Sequence, residues 1–560
     1  MSDKLTEVKK KGEEEKLATQ AKERLPEFFS RGGTPIKRWY TPKDLESFDY
    51  DTMLGDAGQY PYTRGIYPGM YRTRLWQQQQ LFGFGTGEKS RERAKYFLAK
   101  GEKDVAFWVL SDMPTLLGYD PDDPVTEGEV GRCGVAIPTL IDLEELFKGL
   151  PLEHLTSGIT MGTCALPLMA MFVAMAQRRG LPLSRLKGAI QNDILKEYEI
   201  YGSYMYPPKA GLRLQTDVVE YCCKNTPLWT PFSTTTYFIR ESGATIAQEV
   251  GFTLANAACY VESARRRGVD INVLGSLLSF YVWTGTDVLE EAAKMRAIRR
   301  MWAKIMKNKF GATDPKALMP RFGMSTGSCV LTAQQPLNNI VRVALTMLAG
   351  ALGGVQTATL MCYDEGHEIP TEEAQHVSIR THQIIAYESG VTNTVDPLAG
   401  SYYVESLTNK IEEDATAYFN KLETMGGGDI MEGVMRGIET GYIQRELRTS
   451  AYKHQKDIEN KKQVVVGLNM FVEDEEVPIP IFHVPSGTRE RLINRISKLK
   501  RERDNEKVAN LLRELHRAAQ SDENLMPITI EAVKAYATLG EISSVFRDVF
   551  GIYSKGQNPF

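Results

Sequence analysis

The chain has 560 residues, of which 42% are hydrophobic and 25% charged, and a formal net charge of -4. A chain of that length buries a large core and divides into more than one unit, and its slight acidity gives no bulk attraction for nucleic acid or an anionic membrane. The longest apolar stretches, such as LPLMAMFVAMA at 166–176, fall short of the ~20 residues that span a bilayer, and the N-terminus MSDKLTEVKKKGEEEK has no apolar signal core, so the cytoplasm is the expected compartment.

Residues 1–60 are first charged and then aromatic (PEFFSRGG, IKRWYTP), and read as an extended arm that docks on a partner. From about residue 80 short apolar runs alternate with long amphipathic stretches. The runs are LFGFG at 81–85, VAFWVLS at 105–111, TSGITM at 156–161, KGAIQ at 187–191, PFSTTTY at 231–237, LLSFYV at 277–282, RFGMS at 321–325 and TATLM at 357–361. Between them lie helix-like segments such as LPLMAMFVAMAQRRG and AAKMRAIRRMWAKIMKNKFG, which end at Gly180 and Gly311, residues able to take a left-handed conformation. Eight strands with intervening helices predict a (β/α)8 barrel over 61–420. Beyond it, Gly426-Gly427-Gly428 marks a break, VVVGLNMFV followed by VPIPIF suggests a strand-like return, and LKRERDNEKVANLLRELHRAA is amphipathic at helical spacing, so 421–560 is expected to be mostly helical.

In such a barrel the chemistry sits at the C-terminal ends of the strands, where Gln191-Asn192-Asp193, Thr235 to Phe238, Ser325 to Ser328 and Met361 to Glu365 fall. Small hydroxyl residues recur inside the strands (FSTTTY, TSGITM), and glycines stand in FGFG and RFGMSTG. They either bond to backbone or leave room along the axis for a long, partly polar ligand. Seven cysteines, with Cys222 and Cys223 adjacent and no C-x-x-C pair, fit neither a disulfide framework nor a zinc site and are expected as reduced thiols in packed positions.

The segments RGIYPGMYRTRLW, DMPTLLGYDPDDP, GAIQNDILKEY, ESGATIAQEVGFTLA, TGSCVLTAQQPLNNIVR, YDEGHEIPTEEAQ, ESGVTNTVDPLAGSYYVE and LGEISSVFRDVFG, in this order over residues 60–560, resemble the large subunit of the methylmalonyl-CoA mutase family. The resemblance implies an adenosylcobalamin-dependent carbon-skeleton mutase in which an acyl-CoA threads the barrel. The family's cobalt-ligating loop is D-x-H-x-x-G, and none of the seven histidines fits it; His516 in ELHRAA comes nearest, with Glu for Asp and Ala for Gly. The corrinoid domain is therefore expected on a separate small cobalamin-binding subunit, with two large subunits forming the dimer of a heterotetramer.

Carried over residue by residue, the resemblance implies that Tyr67 and Arg74 line the CoA channel, with Arg64 and Arg72 beside them, since a guanidinium fork matches phosphate. The family's strand arginine for the CoA nucleotide falls on Leu277, while the neighbouring Ser279 is kept. Glu365 matches the acid that holds the ribose of the adenosyl group, and Ser325 and Met361 stand where glutamine and asparagine are usual on that side. In the acyl pocket Gln191 and Tyr237 are retained, and Asn192 and Asp193 are expected to fix the strand-end turn. The arginine that pairs with a substrate carboxylate falls on Tyr201, the wedging tyrosine on Leu81 and the thioester-binding histidine on Phe238. An unpaired carboxylate in an apolar pocket costs several kcal/mol, so methylmalonyl-CoA is disfavoured as substrate. A branched acyl-CoA without a free carboxylate is expected, of the 2-hydroxyisobutyryl-CoA, isobutyryl-CoA or bulkier type. Tyr201 either bonds a substrate hydroxyl or walls a larger group. The same losses would mark a non-catalytic structural subunit, and that reading stays open beside a methylmalonyl-CoA mutase.

Overall fold

The computed structural model describes residues 27–99, 106–150, 157–367, 369–473 and 486–553, apart from positions 31, 39 and 161. Its centre is a parallel sheet of nine segments: β1 (Gln77–Phe82), β2 (Ala106–Leu110), β3 (Ser157–Thr160), β4 (Gly188–Ile190), β5 (Trp229–Thr230), β6 (Ser233–Thr235), β7 (Ser279–Thr284), β8 (Arg321–Thr326) and β9 (Thr357–Thr359). Their order is β5-β4-β3-β2-β1-β9-β8-β7-β6. The two ends of that order are consecutive in the chain, because Pro231 carries no N–H and interrupts the fifth strand. The ladder resumes beyond it: Ser233 N–H donates to Gln191 O at 3.0 Å, and this closes the barrel. The eight expected strands are thus all present, one of them as two pieces.

Alternation along the strands decides what faces the axis. Phe107, Val109, Ile159 and Ile190 pack outward into one helix-covered cluster, and Phe280, Val282, Phe322, Met324 and Ala358 into another. The residues between them, including Leu81, Trp108, Gly158, Gln191, Tyr281 and Ser325, therefore point into the lumen.

The covering helices start and stop where the sequence signals it. Helix Ile246–Arg266 opens on a Thr245–Gln248 capping box, and Gly180 and Gly311 take φ of 68° and 69° at the expected stops. Helix Val288–Lys304 buries three arginines that tie the molecule together. Arg296 pairs with Asp396 and Glu405, Arg299 donates to the Tyr62 and Thr63 carbonyls, and Arg300 pairs with Glu412. Helix Tyr402–Met425 is thereby held against the barrel, and the expected division at residue 420 falls inside it.

Several expectations change on folding. The described part of the N-terminal arm lies on the chain's own helices: Gly32 N–H donates to Glu290 at 2.9 Å, and Tyr40 packs on Tyr403 with centroids 4.9 Å apart. The VVVGLNMFV run is a turn carrying a single Val466–Met470 bridge, because Asn469 caps it from within by accepting the Val465 N–H at 2.8 Å; VPIPIF lies outside the described residues. LKRERDNEKVANLLRELHRAA is two helices, since the Asp504 carboxylate caps a new start at Lys507 N–H. Cys133 and Cys329 are exposed, while the other five thiols are buried or half-buried. Among the described residues no helix is long and apolar enough to cross a membrane.

Candidate active site

The opening of the lumen at the C-terminal strand ends is built from β4, β6, β7 and β9. Gln191, at the end of β4, is 2% exposed and held through its backbone by Ile159 O and Ser233 N–H. Its side-chain oxygen is buried with no hydrogen-bond partner among the described residues. Asn192 takes φ of 39°, tolerable for an asparagine, and its amide donates to Pro231 O and Gln215 O. Asp193 accepts from Thr235 N–H at 2.7 Å and the Tyr260 hydroxyl at 2.6 Å, and burial raises its pKa to about 6. Both residues lock the turn, as their types suggest.

The chain then coils through a π-turn, Glu197–Tyr201, which ends at Gly202 with φ of 91°. That turn brings Tyr201 back over the strand ends, where its ring meets Phe238 at 4.5 Å between centroids. Behind the pair sits Lys196, 1% exposed, with its ammonium 4.8 Å from the Tyr201 ring centre and 4.3 Å from that of Phe238. Lys196 is also ion-paired to the buried Glu197, whose other oxygen accepts from Ser203 N–H. Tyr201 itself is 45% exposed, and burial of its ring raises its pKa, so the phenol stays neutral.

Tyr237, Trp283 and Met361 form a small buried cluster at this mouth, with Leu81, Phe238, Tyr281, Val330 and Leu331 packed against it. The Tyr237 hydroxyl is hydrogen-bonded to Ser328 through both the serine hydroxyl and its N–H. The Trp283 indole donates to Glu241, and Arg240 and Lys294 stand 5.1 and 5.2 Å from its ring. Both cations are held by Glu249, Lys294 at 2.8 Å and Arg240 at 3.7 Å. Glu365 turns its carboxylate onto the Cys362 N–H at 2.6 Å, and burial raises its pKa to about 7. Ser325, fully buried in β8, stands in register with Thr359 of β9, two residues before Met361.

The opposite mouth is polar. Tyr67 is 47% exposed, and Arg72 and Arg74 are exposed with no carboxylate partner among the described residues. Ser279 donates to the Ser233 hydroxyl at 3.1 Å, in register with Arg321, which enters the lumen wall from the start of β8 and bonds Leu278 O. Arg64 is engaged by Asp396 and the Tyr50 hydroxyl. Leu277 ends the helix before β7 and is buried.

The sequence-derived residues accordingly fall into two groups. Leu81, Gln191, Tyr201, Tyr237, Phe238, Ser325, Met361 and Glu365 gather at one mouth, and Tyr67, Arg74 and Ser279 at the other. The fold adds Lys196, Tyr281 and Trp283, which the motifs do not single out. The period-2 pattern of LSFYVWT carries the second and third, since Tyr281 and Trp283 must face the same side as Ser279; nothing local distinguishes a buried lysine from a solvated one.

A parallel barrel with its polar side chains gathered at the C-terminal strand ends, exposed guanidinia at one mouth and an aromatic cluster at the other, belongs to the class of barrel enzymes. Similarity to known proteins gives that class its family. The sequence profile of methylmalonyl-CoA mutase matches residues 30–552. The large subunit of 2-hydroxyisobutanoyl-CoA mutase from Aquincola tertiaricarbonis is 41% identical over 95% of this chain and 94% of its own length. Methylmalonyl-CoA mutase of Rhizobium meliloti is 36% identical over 93% of this chain and 72% of its own, and the human mitochondrial enzyme 34% over 93% and 68%. The chain belongs to the methylmalonyl-CoA mutase family and is the large subunit of an acyl-CoA mutase, an isomerase. The family uses adenosylcobalamin, and a large subunit implies a small-subunit partner.

Proposed function

We propose that this chain is the catalytic large subunit of a two-component mutase that rearranges a branched acyl-CoA lacking a free carboxylate, with 2-hydroxyisobutyryl-CoA as the favoured substrate. The observation that carries the reading is the state of the cations at the acyl mouth. Lys196 is consumed by Glu197 and two ring faces, and Arg240 and Lys294 by Glu249. A substrate carboxylate entering here would lose water and meet no available cation.

In this reading the CoA nucleotide rests at the polar mouth against Tyr67 and Arg74, the pantetheine arm runs past Ser279, and the thioester reaches Gln191. The Gln191 amide supports that role, because its N–H can donate to the thioester oxygen, while its buried side-chain oxygen, an acceptor without a donor at a cost of ~1–3 kcal/mol, can take an N–H of the pantetheine arm. Tyr201, half-exposed beside Phe238, offers a neutral hydroxyl to the 2-hydroxyl of the acyl group.

The residues present also fit the cofactor's faces. Leu81, Tyr237, Phe238 and Met361 give an apolar rim for a flat macrocycle, and the Glu365 carboxylate would hold the ribose of the adenosyl group. When bound, adenosylcobalamin supplies the radical chemistry that begins the rearrangement. We assign cobalt ligation to a separate small subunit, in a heterotetramer built on a dimer of large subunits; the near-complete overlap with a relative named as a large subunit supports this.

Assay of the chain with its small subunit and adenosylcobalamin against a panel of acyl-CoAs tests the proposal. Uncarboxylated branched esters should turn over faster than methylmalonyl-CoA. Faster turnover of methylmalonyl-CoA overturns the substrate assignment, and absence of turnover with every ester overturns the catalytic one.

A further inference from the structure

Half-way along the lumen two aromatic side chains meet. Trp108 of β2 faces the axis because its neighbours Phe107 and Val109 face the helices. Its indole lies in a notch left by Gly158 of β3, where an added Cβ would fall 1.9 Å from the ring. Tyr281 of β7 faces the axis between Phe280 and Val282, and Gly323 of β8 clears space beside it, an added Cβ there falling 3.2 Å from the phenol ring. The two rings are stacked with centroids 6.1 Å apart and an interplanar angle of 11°. In the barrel order β2 and β7 are separated by β1, β9 and β8, so this contact crosses the lumen.

The spacing has a steric consequence. A methylene chain lying between two ring faces needs a van der Waals contact of ~3.5–4.0 Å on each side, about 7 Å in all. The stacked pair and a pantetheine arm running between the rings therefore exclude one another. Tyr281 is the fixed partner, since it is backed by Tyr237 with centroids 6.2 Å apart. Trp108 is already seated in the notch over Gly158, so entry of the arm requires its indole to turn away from Tyr281.

We infer that Trp108 is an acyl-CoA-binding residue that gates the lumen: its indole leaves Tyr281 when the pantetheine arm enters, and then lies alongside the arm. The inference rests on the axial-threading reading above and adds to it a constriction that every CoA ester must open, whatever its acyl group. Apparent affinity is then the intrinsic affinity reduced by the fraction of molecules with the gate open.

The test uses free coenzyme A as probe and the full chain without cobalamin, read by calorimetry and tryptophan emission. The wild type should bind coenzyme A with a change in emission. Trp108→Ala should lose most of that change and bind about three- to tenfold more tightly, as expected if the gate is open in ~10–30% of free molecules. Gly158→Ala, which pushes the indole into the lumen, should weaken binding, and in the Trp108→Ala background it should have no further effect. Trp108→Phe, a milder change that keeps a ring in place, should fall between wild type and alanine and serves if the alanine variant fails to fold. Wild-type affinity and unchanged emission response in all of these variants would overturn the gate while leaving threading intact. Failure of both wild type and Trp108→Ala, each folded by thermal unfolding, to bind coenzyme A would overturn the threading reading and the gate with it.

Discussion

The two mouths of the barrel handle positive charge in opposite ways. At the N-terminal mouth Arg72 and Arg74 are exposed and have no carboxylate partner among the described residues, whereas at the C-terminal mouth Lys196, Arg240 and Lys294 are each met by a glutamate within the fold. A cation left in solvent can take an external anion with little rearrangement, while one already desolvated and paired cannot do so without stranding its partner. The number of basic residues near a site therefore says little about the ligand. What decides it is which of them the fold has already neutralised.

Breaking the internally neutralised side should cost the most. Lys196→Met leaves Glu197 buried without its cation and removes the charge shared by the Tyr201 and Phe238 rings, so it should destabilise the chain by ~3–5 kcal/mol. A marked fall in Tm checks this; an unchanged Tm would mean that the pairing is not what holds the aromatic wall. At the other mouth Arg74→Ala should leave Tm unchanged and weaken binding of every CoA ester alike, by about tenfold, the loss of roughly 1.4 kcal/mol of charge-assisted contact. Equal affinity of variant and wild type for coenzyme A, measured by calorimetry, would remove Arg74 from the CoA site.

Within the acyl pocket, Tyr201→Phe separates recognition from simple closure. If the hydroxyl is used in recognition, kcat/KM should fall by about tenfold for 2-hydroxyisobutyryl-CoA and hardly at all for isobutyryl-CoA. An equal response of the two esters would assign Tyr201 the role of a wall.

A smaller effect concerns Glu199, two residues beyond the paired Glu197. It is buried with Asn256 as its hydrogen-bond partner, and burial raises its pKa to about 8. A carboxyl raised in the folded state binds its proton more tightly than in the unfolded chain. Its contribution is therefore full below the ordinary carboxyl range and is lost as pH rises towards 8, at no more than ~1.4 kcal/mol per pH unit. Glu199→Gln should flatten the decline of stability between about pH 5 and 8; parallel pH profiles for variant and wild type would refute the buried protonated acid.

Much of the fold is legible in the amino-acid sequence. Strand positions follow from apolar runs, helix ends from Gly180, Gly311 and the glycines at 426–428, and the chemical face from the parallel topology itself. The segments that depart from expectation are those in which a side chain outcompetes the local pattern. Asn469 folds an apolar run into a turn, Asp504 restarts a helix inside a continuous amphipathic pattern, and Pro231 divides a strand. The resemblance of short segments to the mutase family likewise sorts the candidate residues to two mouths, and Gln191, Tyr201, Tyr237 and Phe238 do gather at one of them.

Periodicities, caps and the residue types at strand ends are written in the sequence alone, because they depend on neighbours within a few positions. Which charges remain available and which space remains open are settled at the tertiary level. The pairing of Lys196 is with an adjacent residue in sequence, yet its burial beneath Tyr201 and Phe238 comes from a π-turn folded over strands more than thirty residues away. Trp108 meets Tyr281 across the lumen only because barrel closure brings β2 opposite β7. Burial and closure are properties of all the elements together, and they set both the dielectric around each charge and the width of the channel.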